Sequence, residues 1–241
     1  MSTADRNSTT SAAARPRIVL AITGASGAPY AVRLLDVLIA AGCDVQLSIS
    51  PAGQAVLKQE LALDIDLANV TLADLVPPAG AYAHDAKWAG VRNVFGPEPF
   101  ASHGSPVERL GGVTYHHYQN LFAPIASGSS LTAGMVVCPC SGGTLSGIAH
   151  GTSANLIQRA ADVHLKERRK LILVPRETPL SLIQLDNMKR CVEAGAVVLP
   201  AMPGWYHGVT SLRDLIDFVV GRICDQLGIS NALVKRWGEP S

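Results

Sequence analysis

Charge is scarce in this 241-residue chain: Asp, Glu, Lys and Arg make up 16% of it and nearly cancel, to a net +1. So balanced a surface argues against recruitment to nucleic acid or membrane by bulk electrostatics. Long apolar runs are also missing, none approaching the roughly 20 residues that a bilayer-spanning helix requires. The opening MSTADRNSTTSAAARP is rich in Ser, Thr and Ala and lacks the apolar core of a secretory signal. Residues 1–16 therefore read as a disordered tail. Five cysteines (Cys43, Cys138, Cys140, Cys191, Cys224) form no paired framework and lie mostly in apolar segments. Reduced thiols and a cytoplasmic location are expected. Cys138 and Cys140 are one residue apart rather than two, which argues against a thioredoxin-type motif. Among seven histidines the only close spacing is His116-His117, a poor chelate, so no metal site is expected.

What the chain does have is apolar mass. Hydrophobic residues are 48% of it, much of this alanine, which suits subunit packing through small-residue patches. Residues 17–241 suffice for one α/β domain with a full core and are short for two. Apolar runs (RIVLAI, DVQLSIS, GMVVCPC, KLILVP, AVVLP) alternate with segments of helical period, the last about Ser211–Leu227. Continuous β-branched runs separated by helices predict a mostly parallel sheet covered on both faces. The stretch from about 75 to 122 breaks this rhythm with glycine, proline and histidine, and reads as a long irregular excursion.

Ligands of such sheets sit outside the carboxyl ends of the strands. The first strand is followed by Thr23-Gly24-Ala25-Ser26-Gly27 and then by Val32, Leu35, Leu38 and Ile39 at helical spacing. Glycine allows close backbone approach, and the first amides of the next helix favour an anion. After the other strands come Ser50, then Ser141-Gly142-Gly143-Thr144, then Arg176-Glu177, then Met202-Pro-Gly-Trp205-Tyr206-His207. Each has a plain structural reading: Ser50 as a helix cap, Ser141 as a turn residue. Together, hydroxyls, glycines, a guanidinium and an aromatic suit a phosphorylated, planar cofactor.

Two helices carry further basic positions. Arg159 and Lys166 are seven apart and share a face at about 100° per residue. Arg222 follows Leu215 by seven and Phe218 by four, which places it in or beside the apolar stripe of the last helix. A charge there calls for an anionic ligand or a carboxylate from another subunit.

The segments ITGASGAPYAVRLL, ASGSS, VVCPCSGGTLSGIAHG, NLIQRAADVHLKERRKLILVPRETPLS, GAVVLPAMPGWYH, DLIDFVVGRICDQLGI and RWGE together resemble the flavin prenyltransferases, the UbiX/Pad1 group of the flavin-containing decarboxylase-like superfamily. The resemblance covers nearly all of the chain except the tail and the excursion. It implies a Rossmann-like or flavodoxin-like three-layer sandwich, a homo-dodecamer and no metal. It also implies a reaction: dimethylallyl monophosphate alkylates reduced FMN at its central nitrogen, and a carbon–carbon bond then closes a fourth ring. The product, prenylated FMN, serves a UbiD-type decarboxylase. Carried over by position, Gly24, Ala25, Ser26, Ser50, Ser141, Gly142, Gly143, Thr144 and Arg176 are expected to hold FMN, with Arg159 beside them. Lys166, Tyr206 and Arg222 are expected to bind the prenyl phosphate, with Glu60 and Trp237 nearby. Glu177 is expected to move protons, a role that requires burial to lift its pKa, and Ser26 and Glu60 to assist it.

Three other readings exist. HGTSANL is similar to the flavin motif of the FMN-dependent cysteine-type decarboxylases, but RETPLSLIQLDNM lacks their Met-Asn substrate motif. A non-catalytic flavin-binding subunit of a decarboxylase complex would not need Glu177, Lys166, Tyr206 and Arg222. An NAD(P) enzyme would need a third glycine in the first loop and an acidic residue ending the second strand.

Overall fold

The computed structural model describes residues 15–78, 80–97 and 111–235. Trp237, the tail through residue 14 and residues 98–110 lie outside them. The elements are β1 (Arg17–Ile22), α1 (Ala28–Ala40), β2 (Asp44–Ile49), α2 (Pro51–Leu61), α3 (Ala89–Phe95), β3 (Gly112–Tyr115), β4 (Gly134–Cys140), α4 (Gly142–Ala149), α5 (Leu156–Lys166), β5 (Leu171–Pro175), α6 (Leu182–Glu193), β6 (Val197–Val198) and α7 (Leu212–Leu227). Six strands form one sheet in the order β3-β2-β1-β4-β5-β6, every pair parallel.

Alternation along the strands builds two cores. Ile18, Leu20 and Ile22 of β1 face the same layer as Val136 and Cys138 of β4, where α1, α2, α3 and α7 pack. Val19 and Ala21, with Met135 and Val137, face the layer of α4, α5 and α6. β1, β4 and β5 are buried almost throughout, which explains their continuous apolar runs.

The described part of the excursion is more ordered than its composition suggested. Leu75, Val76, Tyr82, Trp88, Val91 and Phe95 are all buried in the first core. Helix α3 packs against α2 and α7, and β3 extends the sheet beside β2. The described part of the segment is therefore the outer end of the sandwich.

Strand order reverses between β1 and β4, the point at which such sheets open a crevice. Thr23 pins the floor of that crevice. Its hydroxyl donates to the Pro139 carbonyl at 2.7 Å and accepts from the Ser141 amide at 2.9 Å. The two strand ends are thus fixed relative to each other before any ligand arrives.

Two histidines make the fold acid-sensitive. Buried His164 has its Nδ1 against the Ala160 carbonyl at 2.7 Å, so Nδ1 carries the proton and Nε2 accepts from the Thr132 hydroxyl at 2.8 Å. Burial lowers the pKa of His164, and also that of half-buried His116, below the usual imidazole value. The unfolded chain then binds protons that the folded chain refuses as pH falls below about 6.5, so stability rises with pH through this window. Each imidazole contributes a slope of up to about 1.4 kcal/mol per pH unit. Urea midpoints between pH 5 and 7 should climb with pH, and His164→Gln should flatten the climb. A midpoint that stays level or falls with rising pH would contradict this account.

Candidate functional site

The residues after the strands meet at one edge of the sheet, and the two glycine turns there turn out to serve different purposes. At Gly24 a Cβ would come within 2.4 Å of the Ala52 Cβ, so this glycine lets the β1 loop pack on the start of α2. The amides that open α1 are occupied by the chain's own anion. Glu60 Oε2 accepts from the Gly27 amide at 3.0 Å and the Ala28 amide at 2.8 Å, and Oε1 from Gly27 at 3.2 Å. The anion that the helix end favours is supplied from the last turn of α2. In this chain Glu60 takes the amides at which a ligand anion was expected.

The α4 turn differs. Ser141 caps it, accepting from the Thr144 amide at 3.3 Å and donating to the Thr144 hydroxyl at 3.0 Å. A Cβ on Gly143 would meet nothing within 4 Å, and the residue is exposed. Among the described residues no packing requires glycine at Gly143. The Gly142 and Gly143 amides have no partner within the helix, and the space beside Gly143 can admit an anionic ligand.

The other strand ends complete this edge. Ser50 caps α2, accepting from the Gly53 amide at 3.0 Å. Ala25 is buried, whereas Ser26 is exposed, with its carbonyl accepting from Arg176 Nε at 3.3 Å. Glu177 is exposed next to Arg176 in the single chain, not buried as its expected proton-moving role requires, and accepts from the Thr178 amide at 3.3 Å and Gln184 Nε2 at 3.1 Å. Tyr206, after β6, stands edge-on to Phe218 of α7 at 5.8 Å between ring centroids.

Tyr206 and Arg222 share a pocket of about 340 Å³ that also includes Phe218, Asp225 and Lys235. Arg222 is not in the core, as its place beside the apolar stripe suggested. Its side chain is 54% exposed and pairs with Asp225 at 3.1 Å. A long arginine rooted at the flank of a buried face reaches water, so burial does not require a ligand for it.

Lys166 and Arg159 lie elsewhere. Lys166 ends α5, five residues before β5 begins, and its Nζ pairs with Glu167 at 2.6 Å. It lies against Gly128, in the loop that leads into the start of β4. That is the strand-start edge of the sheet, opposite Ser26, Ser141 and Glu177. Arg159, at the other end of α5, donates to the Ala126 carbonyl at 3.1 Å and pairs with Asp162 at 2.9 Å. One chain therefore gathers Gly24, Ser26, Ser50, Ser141, Arg176 and Glu177, places Tyr206 with Arg222, and leaves Lys166 apart.

Among the described residues no group of three or more His, Cys, Asp or Glu could hold a metal ion. No helix among them is long and apolar enough to cross a membrane. All five thiols are buried, and burial raises each pKa, that of Cys224 to about 12 and that of Cys191 to about 11. None offers an accessible thiolate.

The model of the Flavoprotein family matches residues 6–224. The flavin prenyltransferase UbiX of Pseudomonas aeruginosa is 46% identical over 226 residues, covering 92% of this chain and 94% of the relative. That of Halalkalibacterium halodurans is 44% identical over 218 residues, covering 90% and 91%. The chain belongs to the UbiX flavoprotein family. Among solved structures, AnUbiX (PadA1) in complex with FMN and dimethylallyl pyrophosphate is 35% identical, with a TM-score of 0.71, covering 95% of this chain and all of that one. A dodecameric FMN-dependent UbiX-like decarboxylase from Escherichia coli O157:H7 is 32% identical, with a TM-score of 0.69, covering 92% and 100%. The UbiX resemblance carried by LKERRKLILVPRETP thus extends to the whole architecture.

Some participants escaped sequence reasoning. Arg169 and His164, which hold the loop beside Lys166, sit in no motif that singled them out. Arg33 and Asp36, three apart within the otherwise apolar VRLLDVLIA, were the visible sign of a buried ion network with Asp217.

Proposed function

We propose that this protein is a flavin prenyltransferase that joins the dimethylallyl group of dimethylallyl monophosphate to reduced FMN. The product, prenylated FMN, would serve a UbiD-type decarboxylase in the cytoplasm. The observation that carries the reading is identity above 40% with UbiX flavin prenyltransferases over nine-tenths of both chains. The strand-end edge supports it, because Gly143 leaves room for a ligand against the α4 amides. The residues to hold FMN are Gly24, Ala25, Ser26, Ser50, Ser141, Gly142, Gly143, Thr144 and Arg176. Reduced flavin would supply the nucleophilic ring atoms. Tyr206 and Arg222 would receive the phosphate, whose departure needs preorganised donors and cations. Glu177, exposed in the single chain, would hold and return the proton once bound flavin and a neighbouring copy cover it.

Mass spectrometry of the flavin after anaerobic incubation with reduced FMN and dimethylallyl monophosphate tests this reading. Prenylated FMN is expected. A parallel incubation with the diphosphate, the ligand in the AnUbiX complex, identifies the donor. Unmodified flavin from both would sink the proposal.

The separation of Lys166 from Glu177 carries a second reading, that the site is completed by another copy. Leu182, Ile183, Met202, Trp205 and Tyr206, on the segments after β5 and β6, are each more than 60% exposed, an apolar rim suited to a subunit contact. Light scattering should find a large homo-oligomer. Lys166→Met and Glu177→Gln, each strongly impaired alone, should recover activity when their subunits are mixed in one assembly. A stable, active monomer would overturn this.

A further inference from the structure

We propose that Arg169 is a positioning residue, which sets the loop entering β4 against Lys166 and so shapes the surface that one copy offers to the prenyl-phosphate site of another. The inference rests on assigning Lys166 to the prenyl phosphate. Arg169 Nη1 donates to the Ser130 carbonyl at 2.7 Å, and Nη2 donates to the Gly128 carbonyl. A planar fork meets two alternate carbonyls in a way that a single ammonium cannot. The arginine is itself fixed, because its amide bonds to the His164 carbonyl at 2.8 Å and its side chain is half-buried. His164 secures the next turn of the loop through the Thr132 hydroxyl.

With its carbonyls drawn inward, the loop presents the opposite face to solvent. The hydroxyls of exposed Ser127 and Ser129 lie 2.9 Å apart there. At Gly128 the backbone comes so close to Lys166 that a Cβ would lie 3.1 Å from its Nζ and 2.2 Å from Glu167 Oε1. The Lys166–Glu167 pair is thus packed against the loop backbone at Gly128, and Arg169 holds that backbone in place. The guanidinium is committed to carbonyls, so it acts through Lys166 rather than on the phosphate.

The test compares Arg169→Gln, Arg169→Lys and, as a control, Arg168→Gln, an exposed neighbour. Arg169→Gln should keep the parent affinity for FMN and raise KM for dimethylallyl monophosphate about 10–100-fold, with kcat changed less. Arg169→Lys should fall between it and the parent, and Arg168→Gln should match the parent. Hydrogen exchange on the FMN-free protein should speed up at residues 126–133 in Arg169→Gln and nowhere else. A parent-like KM, or equal loss of FMN binding, would overturn the proposal, and so would unchanged exchange in that loop. If the parent protein prenylates no flavin, the functional reading fails by itself, and the exchange result still decides whether Arg169 orders the loop.

Discussion

Glu177→Gln should slow formation of prenylated FMN by about 10²–10⁴-fold, the usual scale of general acid–base catalysis, while FMN binding stays at the parent level. The substitution keeps size and hydrogen-bonding capacity and removes only the ionisable group. The Glu177 carboxylate accepts from the Thr178 amide and Gln184 Nε2, and a glutamine oxygen can still take one of these bonds. The side chain is exposed, so the fold loses nothing of consequence. Arg222→Ala should fail differently. It removes a surface ion pair with Asp225, worth at most about 1 kcal/mol of stability. Its effect should appear as weaker binding of the prenyl phosphate, because a charge-assisted contact is lost. Pre-steady-state measurement separates the two. A Gln variant that works at the parent rate, with chemistry confirmed as the slow step, would remove Glu177 from the proton path.

The layers of the sandwich were legible because a buried parallel strand has a signature, the unbroken apolar run, and because Ser50 and Ser211 mark helix starts. The excursion was not legible. Helix α3 has seven residues and β3 has four, too short for a period to register, and their order comes from α2, α7 and β2. The glycine turns could be recognised as places of close approach, but not what approaches. Ala52 and Glu60 fill the first turn from a helix some thirty residues away, whereas the turn at Gly143 stays open. Arg222 and Asp217 show the same limit from both sides. Both lie near the stripe of α7, yet the arginine swings out to Asp225 and the aspartate stays buried against Arg33. Sequence period locates a face to within a residue or so; side-chain length and partners decide which charge is buried.

The largest loss of stability is expected at Asp217→Ala. Arg33, Asp36 and Asp217 are 2%, 2% and 5% exposed, deep between α1 and α7. Asp217 accepts from Arg33 Nε at 2.7 Å and Nη2 at 3.2 Å, and Asp36 accepts from Nη1 at 3.0 Å. Arg213 Nε approaches Asp217 from the other side at 3.8 Å. Truncating Asp217 leaves two guanidiniums with one carboxylate fewer in a dry interface, which costs about 3–5 kcal/mol for buried pairs of this kind. For a chain of this size the melting temperature should fall by about 6–20 °C. Removing the whole cluster should cost less than removing its centre. Arg33→Met, Asp36→Leu, Asp217→Leu and Arg213→Met together should therefore melt above Asp217→Ala, because no charge remains to be desolvated. Denaturation is compared at one protein concentration, since assembly adds to apparent stability. An Asp217→Ala protein that melts with the parent would mean that apolar contact alone joins α7 to α1. A fourfold variant that melts below it would mean that the ions contribute net stability rather than only demanding one another.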